Sequence, residues 1–170
     1  YAVIDQVAEE LRHSDFIPMA FELSFGGKDG TLPAVTISQP DGELRVGGKV
    51  DRVDGYIKNG RLYLRVMDYK SGKKSFSLSD IWYGLNMQLI IYLYALQQEG
   101  LDRYRDRLTA ELNEIVPAGV LYVPVRDELP DAARDTDEDG LRILRDKALR
   151  RSGLLSDDMS LLEAMEHGLE

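Results

Sequence analysis

With 170 residues, 44% hydrophobic and 30% charged, the chain has the size and balance of one globular domain, and the absence of cysteine excludes disulfides, thiolate-held zinc and iron-sulfur ligation within it. No apolar run approaches the roughly 18 residues of a membrane span and the opening YAVIDQVAEEL is acidic, so neither membrane contact nor a signal peptide is expected and the compartment expected is the cytoplasm. The net charge of −9 argues against a polyanionic partner, yet nine Lys or Arg meet only four Asp or Glu between Glu43 and Lys74, a basic island of the kind that meets phosphates.

Val3, Ile4, Val7 and Leu11 stand at helical spacing and predict a surface helix over residues 2–13, stopping at SDF before Pro18. FELSF, Phe21 to Phe25, alternates as a strand does; AVTIS, Ala34 to Ser38, leads through a QPDG turn into ELRVGGKVDRVDGYI, a β-meander pattern. Asn59-Gly60 between two alternating runs signals a two-residue type I′ hairpin. From Ser79 to Gln98, Ile81, Leu85, Leu89, Tyr92 and Leu96 recur as in one long helix, capped by Ser77 or Ser79, and DRYRDRLTAELNEI follows as a second, more exposed helix. AGVLYVPV, Ala118 to Val125, suits a strand buried on both faces. RDELPDAARDTDEDG is an acidic loop, and two short helical patterns after Gly140 close the chain. Strands, two helices and then a central strand give an α/β order.

The hairpin fixes a register. If Lys58 faces Arg61, then Ile57 faces Leu62, Gly55 faces Leu64, Asp54 faces Arg65, Val53 faces Val66 and Arg52 faces Met67. The apolar face of this series ends with Asp51 opposite Asp68 and Lys49 opposite Lys70. Opposed residues have β-carbons about 4.5–5.5 Å apart, close enough for two carboxylates to share a divalent cation, without which they repel. A bulge near Gly55 would separate them instead, or the two lysines would neutralise both. Oxygen ligands without His or Cys suit Mg²⁺ or Mn²⁺, and the chemistry such a cluster serves is phosphodiester hydrolysis. Lys70, on the face of Asp68, orients the water or stabilises charge at phosphorus.

The order D-x16-D-Y-K after GGKVDRVD, then a helix carrying QLIIY, resembles the RecB-like branch of the PD-(D/E)XK nuclease superfamily. GGKVDRVD, MDYKSGKKSFSLSDIWYGLNMQLIIYLYAL and PAGVLYVPV look like the C-terminal nuclease domain of the AddB-type component of AddAB ATP-dependent helicase-nucleases, from about Pro18 to Met165. The resemblance implies a restriction-endonuclease-like α/β core, a mixed central sheet flanked by helices. It further implies that Asp51 and Asp68 hold Mg²⁺ or Mn²⁺ with the Tyr69 carbonyl, that Lys70 is the catalytic lysine, and that Gln88 and Tyr92 form the family's Q-x-x-x-Y motif facing the site. The partners it implies are DNA and the A-type helicase-nuclease subunit, in double-strand break repair and recombination.

The family's third ligand, a His, is expected before Tyr1; His13 reads as a surface residue and Glu22 as a weak substitute. The family's iron-sulfur cluster needs four flanking cysteines, so it is not expected on residues 1–170, which read as a single nuclease domain cut from a larger protein. DTDEDG, Asp135 to Gly140, imitates an EF-hand start, but Asp146 stands where Glu belongs at position twelve. GGKDG and GGKVD lack the spacing of a phosphate-binding loop, so ATP hydrolysis belongs to other domains. Two alternatives stay open: a non-cleaving nuclease-like DNA-binding or subunit-docking module, and a stand-alone RecB-like exonuclease.

Overall fold

The computed structural model describes residues 2–26, 31–72, 75–108, 111–125 and 136–168. The first half of the chain forms α1 (Ala2–Arg12), β1 (Ile17–Phe25), β2 (Val35–Gln39), β3 (Gly42–Val46), β4 (Gly48–Lys58) and β5 (Arg61–Lys70). Next come α2 (Leu78–Trp82), α3 (Gln88–Glu99), α4 (Leu101–Arg107) and β6 (Glu114–Pro124), then α5 (Glu138–Ala148), β7 (Ser152–Leu155) and α6 (Met159–Met165). Five strands make one sheet in the order β1-β4-β5-β6-β7, and β2 with β3 makes a separate ribbon. Only β5 and β6 run parallel within the large sheet. That pair needs a crossover, and α2, α3 and α4 supply it. The result is the expected α/β core with a mixed sheet flanked by helices.

Asn59 and Gly60 both have positive φ, 53° and 73°, the backbone of a type I′ turn. The turn sets β4 against β5 in the expected register from Lys58 and Arg61 to Arg52 and Met67. On one sheet face Leu89, Tyr92, Leu93 and Leu96 of α3 bury against Val53, Leu62, Leu64, Val66 and Val120. On the other, Leu161, Ala164 and Met165 of α6 meet Phe16 and Ala118. Residues 118–123 of β6 are buried without interruption, as its near-continuous apolar run predicts.

Four expectations need correction. The long helix from Ser79 to Gln98 is two helices, because Gly84 and Asn86 take positive φ, 77° and 54°, and a right-handed helix cannot pass through them. Apolar spacing reads across the break, yet Leu85 is 58% exposed. Ser77 does cap the first piece, its side chain accepting from the Asp80 amide at 3.2 Å. The second helix stops at Arg107, and Glu114 and Ile115 already belong to β6. There Pro117 and the skipped Ala118 form an irregularity opposite Leu64 and Arg65, a place where a strand tolerates proline.

Between the two C-terminal helices lies a strand that the sequence pattern does not announce, β7, antiparallel to β6. It lies so close that a β-carbon on Gly153 would sit 1.9 Å from the Val120 carbonyl oxygen. Finally, β1 starts at Ile17, four residues before FELSF, with a register shift between Pro18 and Ala20. The acidic loop over residues 126–135 lies outside the described residues. The EF-hand imitation is in its later part the start of α5, where the Asp137 carboxylate accepts from the Gly140 amide at 2.8 Å as an N-cap. Among the described residues no helix is long and apolar enough to cross a membrane.

Candidate active site

The pairing of β4 with β5 ends at Arg52 and Met67, one step short of Asp51 and Asp68. Beyond that point β4 continues with β1 as far as Gly48 opposite Phe25, and β5 continues with β6 as far as Lys70 opposite Pro124. The sheet therefore forks, with Asp51 on one branch and Asp68 on the other. A phase slip accompanies the fork. Val50 and Val53 lie three apart yet enter the same core, and so do their β1 partners Leu23 and Ala20. Strict alternation would put them on opposite faces; Glu22, with φ of 50°, absorbs the slip on β1. Irregularities of this kind re-aim side chains.

The slip corrects two details of the expected geometry. Asp51 reaches across the mouth of the fork, and its Oδ2 accepts the Tyr69 backbone N–H at 2.8 Å. Lys49 does not face Lys70: it pairs with Ser24 on β1, and its ammonium lies 2.7 Å from Glu22. Glu22 is thereby committed to Lys49 on the exposed surface. His13 is a surface residue as expected, its Nε2 2.8 Å from Glu9.

Asp68 is 6% exposed, and the Lys70 Nζ stands 2.5 Å from its Oδ2. The ammonium is the cationic partner of this buried oxygen. Lys70 also lies 5.7 Å from the centre of the Tyr122 ring. Burial alone would lower the Lys70 ammonium. Contact with Asp68 and its charge outweigh that, with Tyr122 and Asp51 adding, and the pKa rises above the ordinary lysine value.

The Val125 amide donates to the Lys70 carbonyl at 3.0 Å, on the β6 side. Carbonyl directions alternate along a strand, and a residue's N–H and C=O share a side, so the Tyr69 carbonyl points with its N–H toward the fork. The fork thus gathers two carboxylates and a backbone carbonyl, all oxygen donors. That set fits a hard divalent cation. Among the described residues no group of three His, Asp or Glu side chains forms a metal cluster.

Gln88 and Tyr92 bond each other, the Gln88 amide donating to the Tyr92 hydroxyl at 2.7 Å. Tyr92 meets Phe25 edge to face, with centroids 5.1 Å apart. It also packs against Gly48, where a β-carbon would fall 2.6 Å from Tyr92 Cε1. Tyr92 therefore bears on the strand that delivers Asp51, three residues upstream of it.

The basic island is largely spent internally. Arg45, Lys49, Arg52, Arg61, Arg65 and Lys70 each stand within 4.0 Å of a carboxylate. Two of them belong to a buried cluster that composition counts as surface. Arg52 grips Asp54 with Nε to Oδ1 at 2.6 Å and Nη2 to Oδ2 at 2.8 Å. Arg65 bridges Asp54 at 2.9 Å and Glu10 at 2.7 Å. The signal was available, since the hairpin register sets Asp54 opposite Arg65 and strand alternation puts Arg52 on the same face.

Residues 1–167 match the PD-(D/E)XK nuclease superfamily. The chain is 38% identical over 165 residues to the B-type component of the ATP-dependent helicase/deoxyribonuclease of Acetivibrio thermocellus. It is 36% identical to that of Ruminiclostridium cellulolyticum and 37% to that of Symbiobacterium thermophilum, again over 165 residues. Each alignment takes in 96% of this chain and 14% of the relative, so the chain spans a small part of the length of the curated relatives it matches. The family match runs from α1 through α6 and takes in both branches of the fork: the chain belongs to the PD-(D/E)XK nuclease superfamily.

Proposed function

We propose that the chain hydrolyses DNA phosphodiester bonds with Mg²⁺ or Mn²⁺ at the fork, as the exonuclease domain of a helicase-nuclease acting in double-strand break repair and recombination. The observation that carries this is the convergence of Asp51, Asp68 and Lys70 where β4 and β5 part, with the Lys70 ammonium 2.5 Å from a buried Asp68 oxygen. Asp51, Asp68 and the Tyr69 carbonyl would hold the cation. When bound, it supplies Lewis-acid polarisation of the phosphoryl group and a more acidic water.

Asp51 is held across the fork by the Tyr69 amide, so its orientation is set before any ligand arrives. Lys70, its ammonium beside Asp68, is placed as a cationic donor to the attacking water or to oxygens that gain charge at phosphorus. Gln88 and Tyr92 support the β4 branch through Gly48. The cysteine-free chain ligates no iron-sulfur cluster itself. An A-type helicase-nuclease subunit would supply strand and motor, in the cytoplasm.

Cleavage of end-labelled DNA by this chain, with Mn²⁺ or with EDTA, tests the proposal. Metal-dependent loss of label that disappears in Asp68→Ala supports it, and parental cleavage in EDTA contradicts it. Because most of the basic island is paired internally, DNA binding by the isolated chain should be weak.

A further inference from the structure

The buried cluster behind the fork has no part in the chemistry proposed above, yet it sits directly beneath it. Three arginines, Arg52, Arg65 and Arg151, meet two carboxylates, Asp54 and Glu10. Arg52 and Asp54 belong to β4, Arg65 to β5 and Glu10 to α1. The cluster is poorly explained as a source of stability. Buried ion pairs seldom outperform apolar packing, and here Glu10 Oε2, Arg65 Nε and Arg151 Nε are buried without hydrogen-bond partners. In some proteins buried ionic groups are retained because they fix a geometry.

The geometry at stake is the phase slip. Between Val50 and Val53 two residues must be turned in defined directions, and each has its own anchor. Asp51 is anchored forward by the Tyr69 N–H. Arg52 is anchored backward by Asp54, with its guanidinium also beside the Tyr69 hydroxyl. Tyr69 thus holds both residues, one with its backbone and one with its ring, and it lies between Asp68 and Lys70.

Resting on the metal reading of the fork, we infer that Arg52 is a positioning residue: gripped by Asp54 and set against Tyr69, it fixes the direction of Asp51 and hence the spacing of the Asp51 and Asp68 carboxylates. Arg52 touches neither substrate nor cation. Its loss should be felt as loss of preorganisation, on the scale of about 10- to 100-fold in metal affinity that residues supporting metal ligands show.

Titration calorimetry with Mn²⁺, beside thermal melts in EDTA, tests this on the chain and three variants. Arg52→Met leaves two arginines facing two carboxylates, so neither carboxylate loses its last counter-charge; Arg52→Lys keeps the charge and loses the paired grip. Arg151→Met removes an arginine whose ion pair is with Glu10 and which makes no contact with Asp54. The expected result is Mn²⁺ affinity lowered about 10- to 100-fold in both Arg52 variants and changed less than about twofold in Arg151→Met. Parental affinity in either folded Arg52 variant overturns the inference. So does an affinity that falls in all three variants in step with their melting temperatures. If Arg52→Met does not fold, Arg52→Lys decides; if neither folds, Arg52 is a folding residue and the inference is wrong. A parental chain that binds no Mn²⁺ would instead remove the metal reading itself, and this inference with it.

Discussion

Replacing Lys70 with methionine keeps the side-chain stem against Tyr122 and removes only the charge. Asp68, 8% exposed at its side chain, then keeps a buried oxygen with neither donor nor counter-charge. Breaking a fully buried pair costs about 3–5 kcal/mol and an exposed one at most about 1. The Lys70 side chain is 28% exposed, which places the loss between these, at about 2–3 kcal/mol. For a chain of this length 1 kcal/mol corresponds to roughly 2–4 °C, so the melting midpoint should drop by roughly 5–10 °C in EDTA at pH 7. Saturating Mn²⁺ supplies the missing positive charge and should restore part of it, so the variant should gain more from Mn²⁺ than the parent does. Circular dichroism melts at pH 7, with and without Mn²⁺, make the comparison. A midpoint in EDTA within about 1 °C of the parent, or a variant that gains less from Mn²⁺ than the parent, would refute the assignment of Lys70 as the neutraliser of Asp68.

Other outcomes follow from single residues. Asp68→Ala should lose both Mn²⁺ binding and cleavage, whereas Lys70→Ala should retain Mn²⁺ binding and lose cleavage by about 10²-fold or more, readable by calorimetry beside a strand-cleavage assay. Gly48→Ala drives a methyl into Tyr92 and should destabilise by about 1–3 kcal/mol, measured by urea titration. Tyr104, 1% exposed and with no hydrogen-bond partner for its hydroxyl, is pushed up to about 12 by burial, so in ultraviolet titration one tyrosine should ionise late. The folded state then holds a proton that the unfolded chain has released, and stability should fall between about pH 10 and 12, by roughly 2–3 kcal/mol. Tyr104→Phe should remove that loss and leave the neutral-pH stability equal or higher. Lys70, its pKa also raised, keeps its contribution up to the ordinary lysine range and loses it above, in the same direction.

What the sequence revealed and what it hid divide along local and non-local causes. The hairpin register was legible because Asn59-Gly60 alone sets it, as far as Arg52 opposite Met67. The fork was not legible. It depends on β1, where Glu22 takes a φ of 50° opposite this part of β4, and nothing near Asp51 announces that. Gly84 and Asn86 did offer a break signal in the long helix, but the apolar spacing of Ile81, Leu85 and Leu89 ran through it. β7 exists only because β6 offers an edge for Gly153 to approach, and four residues reading SGLL carry no alternation of their own. Charge counting misled most at Arg52 and Arg65, which it placed at a phosphate-facing surface and which the fold buries against Asp54.

The central claim is that the fork between β4 and β5 is a divalent cation site. Crystals of this chain soaked in Mn²⁺ and measured at the manganese absorption edge test it most directly. We predict one anomalous peak between the Asp51 and Asp68 carboxylates, within about 2.0–2.4 Å of both and of the Tyr69 carbonyl oxygen. No peak in the fork at saturating Mn²⁺, or a peak only elsewhere on the chain, would contradict it.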